Sequence, residues 1–261
     1  MNTASSSPAG LRTPSFRLDG RTALVTGAGR GIGLAAAHAL AQAGAHVFLV
    51  ARTAGEIETA CADIRADGGL ATAGQLDVTD SSAVSTYVAH AGPFDILVNN
   101  AGTNRPVLIT DMQDADYDLV MGLNVRATVF VTREVARGML AAGRGGSIIT
   151  VSSQMGHVGG PKRSLYCASK HAVEGMTKAL AWELGAHRIR VNTVCPTYIE
   201  TALTAPMLAD PQFRAFAEGG SALGRVGRLD EVMGAVVFLA SDASSLVTGS
   251  ALMVDGGWTA R

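Results

Sequence analysis

From Arg21 onward, short apolar runs alternate with longer amphipathic stretches. The runs TALVT (22–26), HVFLVA (46–51), TAGQLDV (72–78), DILVNN (95–100), SIITVS (147–152), IRVNTVC (189–195) and ALMVD (251–255) read as strands. The stretches 32–43, 54–67, 80–91, 112–141, 164–187 and 229–240 have helical length and pattern. Near-continuous apolar strands that alternate with helices predict βαβ units, whose parallel sheet is covered on both faces. The expectation is a doubly wound α/β fold with one seven-stranded parallel sheet in a single domain over 18–261. Segment 197–227 carries Pro206, Pro211 and several glycines and is predicted to be irregular. A long excursion beyond the carboxyl end of a strand suits a substrate lid.

Composition narrows the chemistry. The chain has 261 residues, 48% hydrophobic and 16% charged, with a formal net charge of −1. Basic residues form no long run, so neither a nucleic-acid nor a membrane partner is expected. No apolar stretch reaches the ~18 residues of a membrane span. The opening MNTASSSPAGLRTPS lacks an apolar signal core, so residues 1–17 are predicted to be a mobile tail and the location cytoplasmic. Cys61, Cys167 and Cys195 show no paired spacing, and no histidine has another four residues on, so no metal site is expected.

Small-molecule chemistry is where the motifs point. TGAGRGIG, Thr26 to Gly33, joins the first strand directly to a helix. Glycines 27, 31 and 33 let the backbone turn and approach a pyrophosphate at the helix start. Further on, Tyr166 and Lys170 in YCASK stand four apart, on one face of the predicted helix. At ~5 Å and an effective dielectric of ~20, the ammonium stabilises a phenolate by roughly 3 kcal/mol, about two pKa units. Ser153, at the end of its strand, reaches the same carboxyl edge and suits orienting a carbonyl or alkoxide. Asn124 is a poor helix former inside a helical pattern, which implies a tertiary role.

Together TGAGRGIG, NNAG (99–102), Asn124, Ser153 and YCASK resemble, in order and spacing, the short-chain dehydrogenase/reductase family from about Arg21 to the C-terminus. The resemblance implies a Rossmann-like domain and a catalytic set of Asn124, Ser153, Tyr166 and Lys170, with Asn124 holding a water linked to the lysine. It places cofactor contacts at Gly27, Arg30, Gly31, Ile32, Gly33, Arg52, Asp77, Val78, Asn100, Ala101, Gly102, Tyr166, Lys170, Pro196, Ile199 and Thr201. A carboxylate after the second strand would select a ribose 2′-hydroxyl; this chain has Arg52 there and Arg30 in the glycine loop, which favours NADP(H) over NAD(H).

The expected reaction is hydride transfer between nicotinamide and a carbonyl or secondary alcohol, on a small sugar- or polyol-type substrate. Asn104, Arg105, Gln154, His157 and Thr197 fall on segments expected to line its cavity. A 3-oxoacyl thioester on a carrier protein is the alternative: Arg144 matches one docking arginine of such reductases, but His187 replaces the other, beside Arg188. A non-catalytic NADP(H)-binding scaffold is a further alternative, disfavoured by the intact catalytic set. Thr197 departs from the family's usual glycine after Pro196. The family also implies a homotetramer, and the apolar strand at 251–255 with Trp258 behind it offers a surface for it.

Overall fold

Strand and helix form where the apolar pattern places them, because the central strands bury both faces and the edge strands are partly exposed. The computed structural model describes residues 12–260. Its strands are β1 (Thr22–Thr26), β2 (His46–Ala51), β3 (Leu70–Gln75), β4 (Ile96–Asn99), β5 (Gly146–Val151), β6 (Ile189–Pro196) and β7 (Ala251–Val254). They form one parallel sheet in the order β3-β2-β1-β4-β5-β6-β7. The order reverses between β1 and β4. That switch point opens a crevice at the carboxyl ends of the two strands, where doubly wound sheets bind ligands.

The helices are α1 (Gly31–Gln42), α2 (Ala54–Ala66), α3 (Ser81–Ala91), α4 (Asp114–Met121), α5 (Thr128–Ala142), α6 (Ser164–Gly185), α7 (Ala205–Leu208), α8 (Pro211–Gly219) and α9 (Leu229–Ala240). Neighbouring strand residues feed opposite cores. Val25 packs with Ala36, Leu40, Val232 and Val236 on the α1/α9 side. Leu24 packs with Leu97, Val131, Val135 and Val191 on the α5/α6 side. Each such side chain contributes about 1.5–3 kcal/mol by leaving water.

Three expectations need correction. The single helix over 112–141 is interrupted by a π-helical turn at Gly122–Ala127, which holds Asn124. Third-strand pairing begins at Leu70, just after the Gly68–Gly69 turn, and stops at Gln75, short of the predicted end at 78. There the Asp77 carboxylate accepts from Thr79 N and Oγ1 and turns the chain instead. The lid segment is not irregular: it contains α7 and α8, with Pro206 and Pro211 in their first turns. Proline breaks a helix interior but suits a helix start, where its missing N–H costs nothing.

The predicted tail falls mostly on residues 1–11, outside the described residues; Phe16 stacks at 6.3 Å on Phe238 of α9. β7 is an edge strand of the sheet, as expected, but Trp258 turns inward, away from assembly. It packs on its own lid, 5.5 Å from the Tyr198 ring and 5.6 Å from Phe216.

Candidate active site

The turn after β1 has the shape that the glycines demand. Gly27 and Gly31 adopt φ of +61° and +59°, the left-handed region that side chains avoid. At Gly33 a Cβ would overlap Asn100 Nδ2 and the Gly27 carbonyl. The turn is braced from β4: Asn100 Nδ2 donates to the Thr26 and Gly27 carbonyls, both at 3.0 Å. Thr26 Oγ1 accepts from the amides of Asn100 (3.0 Å) and Ala101 (3.1 Å). Thr26 was not among the predicted residues, although a hydroxyl just before a glycine turn is a readable signal. Asn99 is structural, donating to Thr132 Oγ1 at 2.8 Å.

This cradle fits a dinucleotide, because the glycines leave the start of α1 open to a pyrophosphate. Thr201 approaches it from the lid, 3.9 Å from the position a Gly31 Cβ would take. Ile32, Val78 and Ala101 pack against the cores beneath. Ile199 is buried and bridges to Gly227, and Pro196 ends β6 opposite Val254. Arg30 and Arg52 are both exposed at the rim. Arg30 faces Glu56 of α2 at 3.7 Å, a carboxylate that the sequence reading missed.

Asn124 owes its position to the π turn. Its Oδ1 accepts from Thr103 N (2.8 Å), and its Nδ2 donates to Thr103 O (2.9 Å) and to Ser169 Oγ (3.0 Å). Its amide therefore ties the loop after β4 to α6, a direct link that the family role does not describe. Gly102 keeps this loop close, with Asn124 Oδ1 3.3 Å from where its Cβ would stand.

Ser153, Tyr166 and Lys170 converge at the carboxyl edge of β5. Lys170 Nζ lies 5.6 Å from the Tyr166 ring centroid and donates to the Val151 carbonyl at 2.8 Å. Burial rather than Lys170 sets the direction of the phenol's shift without cofactor. Burial pushes Tyr166 up to about 12, opposed by hydrogen bonding from Ser153 and by the charge of Arg163. The same burial pushes Lys170 down to about 8, with Cys195 and Glu174 opposing it. In both groups desolvation is the largest cause of the shift.

Among the described residues several buried side-chain atoms lack partners, Asn104 Oδ1, Gln154 Oε1, Thr197 Oγ1 and Arg163 Nη1 among them. Their residues sit on the segments leaving β4, β5 and β6, and at the start of α6. Arg163 was missed by the sequence reading. Two other predicted cavity residues are otherwise engaged: Arg105 pairs with Asp116 at 3.4 Å, and His157 stands 3.6 Å from Glu174. His157, Glu174 and Cys195 bring ligand-type atoms within 4.8 Å of one another, a tertiary cluster that spacing rules do not reveal. Burial pushes the Cys195 thiol up to about 12, and it donates to Glu174 Oε1 at 3.3 Å.

Residues 27–259 match the family model described as Enoyl-(Acyl carrier protein) reductase. The chain belongs to the short-chain dehydrogenase/reductase family. Gluconate 5-dehydrogenase of Gluconobacter oxydans (strain 621H) is 42% identical over 248 residues, covering 94% of this chain and 96% of that protein. L-xylulose reductase of Bos taurus is 40% identical, covering 94% and 99%. The crystal structure of a gluconate 5-dehydrogenase from Burkholderia cenocepacia J2315, in complex with NADP and tartrate, superposes with a TM-score of 0.90 at 37% identity, covering 94% and 98%. As a member of this family the chain is a nicotinamide-dependent oxidoreductase acting on CH–OH and C=O groups. Among the described residues no helix is long and apolar enough to cross a membrane.

Proposed function

We propose that this protein is an NADP(H)-dependent dehydrogenase/reductase that interconverts a secondary alcohol and a ketone on a small polyhydroxylated substrate. The observation that carries this reading is the set of buried, unpartnered polar atoms of Asn104, Gln154 and Thr197, on the segments that leave the carboxyl ends of β4, β5 and β6. Buried polar atoms without partners are costly, and substrate hydroxyls complement them as an apolar acyl chain does not. The relatives named for gluconate and L-xylulose agree with it.

Bound nicotinamide supplies or accepts the hydride. Gly27, Arg30, Gly31, Ile32 and Gly33 would hold the pyrophosphate, with Asp77 and Val78 at the adenine. Asn100, Ala101, Gly102 and Lys170 would serve the riboses, and Pro196, Ile199 and Thr201 the nicotinamide half. Arg30 and Arg52 together favour a 2′-phosphate, as guanidinium binds phosphate by paired hydrogen bonds. The NADP bound in the Burkholderia relative supports that preference.

Tyr166 exchanges the proton of the reacting oxygen through its Oη, and Ser153 Oγ orients that oxygen. Lys170 keeps positive charge beneath the phenol, and Asn124 fixes the loop and α6 around it. The carrier-thioester alternative loses ground because its docking cations have intramolecular partners. Arg144 binds Asp95 at 3.0 Å, and Arg188 donates to the Gly143 carbonyl at 2.9 Å. A cytoplasmic homotetramer remains the expected context; exposed Trp182 and Leu246 are apolar surface for assembly.

The test is a panel of polyols, sugar acids, keto-sugars and a 3-oxoacyl thioester, with NADP(H) and NAD(H). A kcat/KM at least tenfold higher for a polyhydroxylated compound and for NADP(H) supports the proposal. A tenfold preference for the thioester or for NAD(H) contradicts the corresponding half.

A further inference from the structure

Arg163 is a buried cation without a counter-ion. It is 6% exposed, and among the described residues no carboxylate lies within 4.0 Å of it. Nη2 donates to Met207 Sδ of α7 at 3.4 Å, a thioether and hence a weak acceptor, while Nη1 has no partner. Burying a charge without pairing it costs several kcal/mol.

Its surroundings point to the catalytic centre. The guanidinium charge acts on the Tyr166 phenol, and on the neutral Tyr198 phenol of the lid both by its charge and by a side-chain hydrogen bond. Arg163 also occupies the N-cap of α6, and its side chain makes no capping hydrogen bond there. An open helix start favours an anion by its dipole and its free N–H groups. Just before it, Lys162 holds φ of +60°, a strained conformation for a side-chain-bearing residue.

We infer that Arg163 is the anchor for a substrate carboxylate, so that the preferred substrate is a sugar acid rather than a neutral sugar or polyol. This rests on the polyol reading of the site proposed above and adds the charge of the substrate to it. The carboxylate takes the free Nη1 donor, while the hydroxyls meet Asn104, Gln154 and Thr197. Arg163 also joins the lid helix α7 to the start of α6 through Met207, so an anion held there binds at the seam between lid and catalytic helix.

The experiment compares gluconate with sorbitol, a carboxylate and a neutral polyol of equal carbon number, as substrates with NADP+. The wild type is expected to favour gluconate by about a hundredfold in kcat/KM, as truncating a buried charge contact does in the opposite sense. In Arg163→Met that preference falls below about tenfold, mainly through KM, and Arg163→Lys lies between. Calorimetric titration of the wild-type NADP+ complex gives binding of gluconate and not of sorbitol. Equal wild-type rates and affinities for the two compounds overturn the inference while leaving the polyol reading intact; so does a hundredfold preference that survives in Arg163→Met. If NADP+ binds but no polyol or sugar acid in the panel turns over, the underlying reading fails first. Should Arg163→Met not fold, the wild-type comparison and Arg163→Lys decide.

Discussion

The two sides of the crevice differ in how completely their polar groups are satisfied. On the cofactor side, Thr26, Asn100 and the Gly27 carbonyl are locked together by hydrogen bonds of about 3 Å before anything binds. On the substrate side, Asn104, Gln154, Thr197 and Arg163 each keep a buried side-chain atom without a partner, and Arg163 reaches the lid helix α7 through Met207. A cradle for one constant ligand can be preformed, since its shape never changes. A site that discriminates among substrates keeps donors and acceptors in reserve, because an analogue that leaves them unpaired is rejected.

Breaking the substrate side at its chemistry has a larger effect than breaking the cofactor side. Lys170→Met is expected to lower turnover by at least about a hundredfold and to weaken cofactor binding as well. Steady-state kinetics and direct cofactor titration separate the two losses, and movement in only one would remove the dual role. The same variant carries a pH signature. Burial lowers Lys170 from 10.5 to about 8, so between those values the unfolded chain holds more protons than the folded one. Wild-type stability therefore rises through that window, by at most about 3 kcal/mol. Tyr166, raised from 10.0 to about 12, acts in the opposite sense above pH 10. In Lys170→Met the rise from pH 8 to 10 attributable to this residue disappears, which denaturant melts across pH will show.

A smaller effect comes from breaking the cofactor side. Gly33→Ala puts a Cβ against Asn100 and the Gly27 carbonyl and should cost about 1–3 kcal/mol through overpacking. Cofactor affinity should fall with it, because the brace from β4 is displaced. A stability unchanged in thermal melts, with normal NADP(H) affinity, would mean that the turn is softer than its hydrogen bonds suggest.

Arg52→Asp sharpens the comparison with the smallest change. It should shift preference towards NAD(H) by about tenfold in kcat/KM, exchanging phosphate attraction for ribose hydroxyl binding. Glu56 already stands near Arg30, so Glu56→Gln is expected to move the ratio slightly the other way. A wild type that prefers NAD(H) would defeat both expectations.

The difference between the two sides also explains what was legible in the sequence. Glycine positions, the tyrosine–lysine spacing and the apolar runs are local patterns, and β1, β2 and α9 begin and end where those patterns predict. The π turn at Asn124 escaped because its cause is tertiary, the bonding to Thr103 and Ser169. The lid helices escaped because proline reads as a breaker from sequence, whereas Pro206 and Pro211 sit in first turns. Arg163 escaped for a different reason: sequence shows a charge but not the missing partner. The burial that raises Tyr166 escaped because two residues one turn apart reveal their attraction and not their surroundings.

The central claim is that Tyr166 carries the proton while the cofactor side stands complete without it. Tyr166→Phe, saturated with NADP+ and given the best polyhydroxylated substrate of the panel, tests this in one preparation. The account predicts cofactor affinity within about twofold of wild type and NADP+ reduction slower by about a thousandfold. Reduction within tenfold of wild type would contradict it.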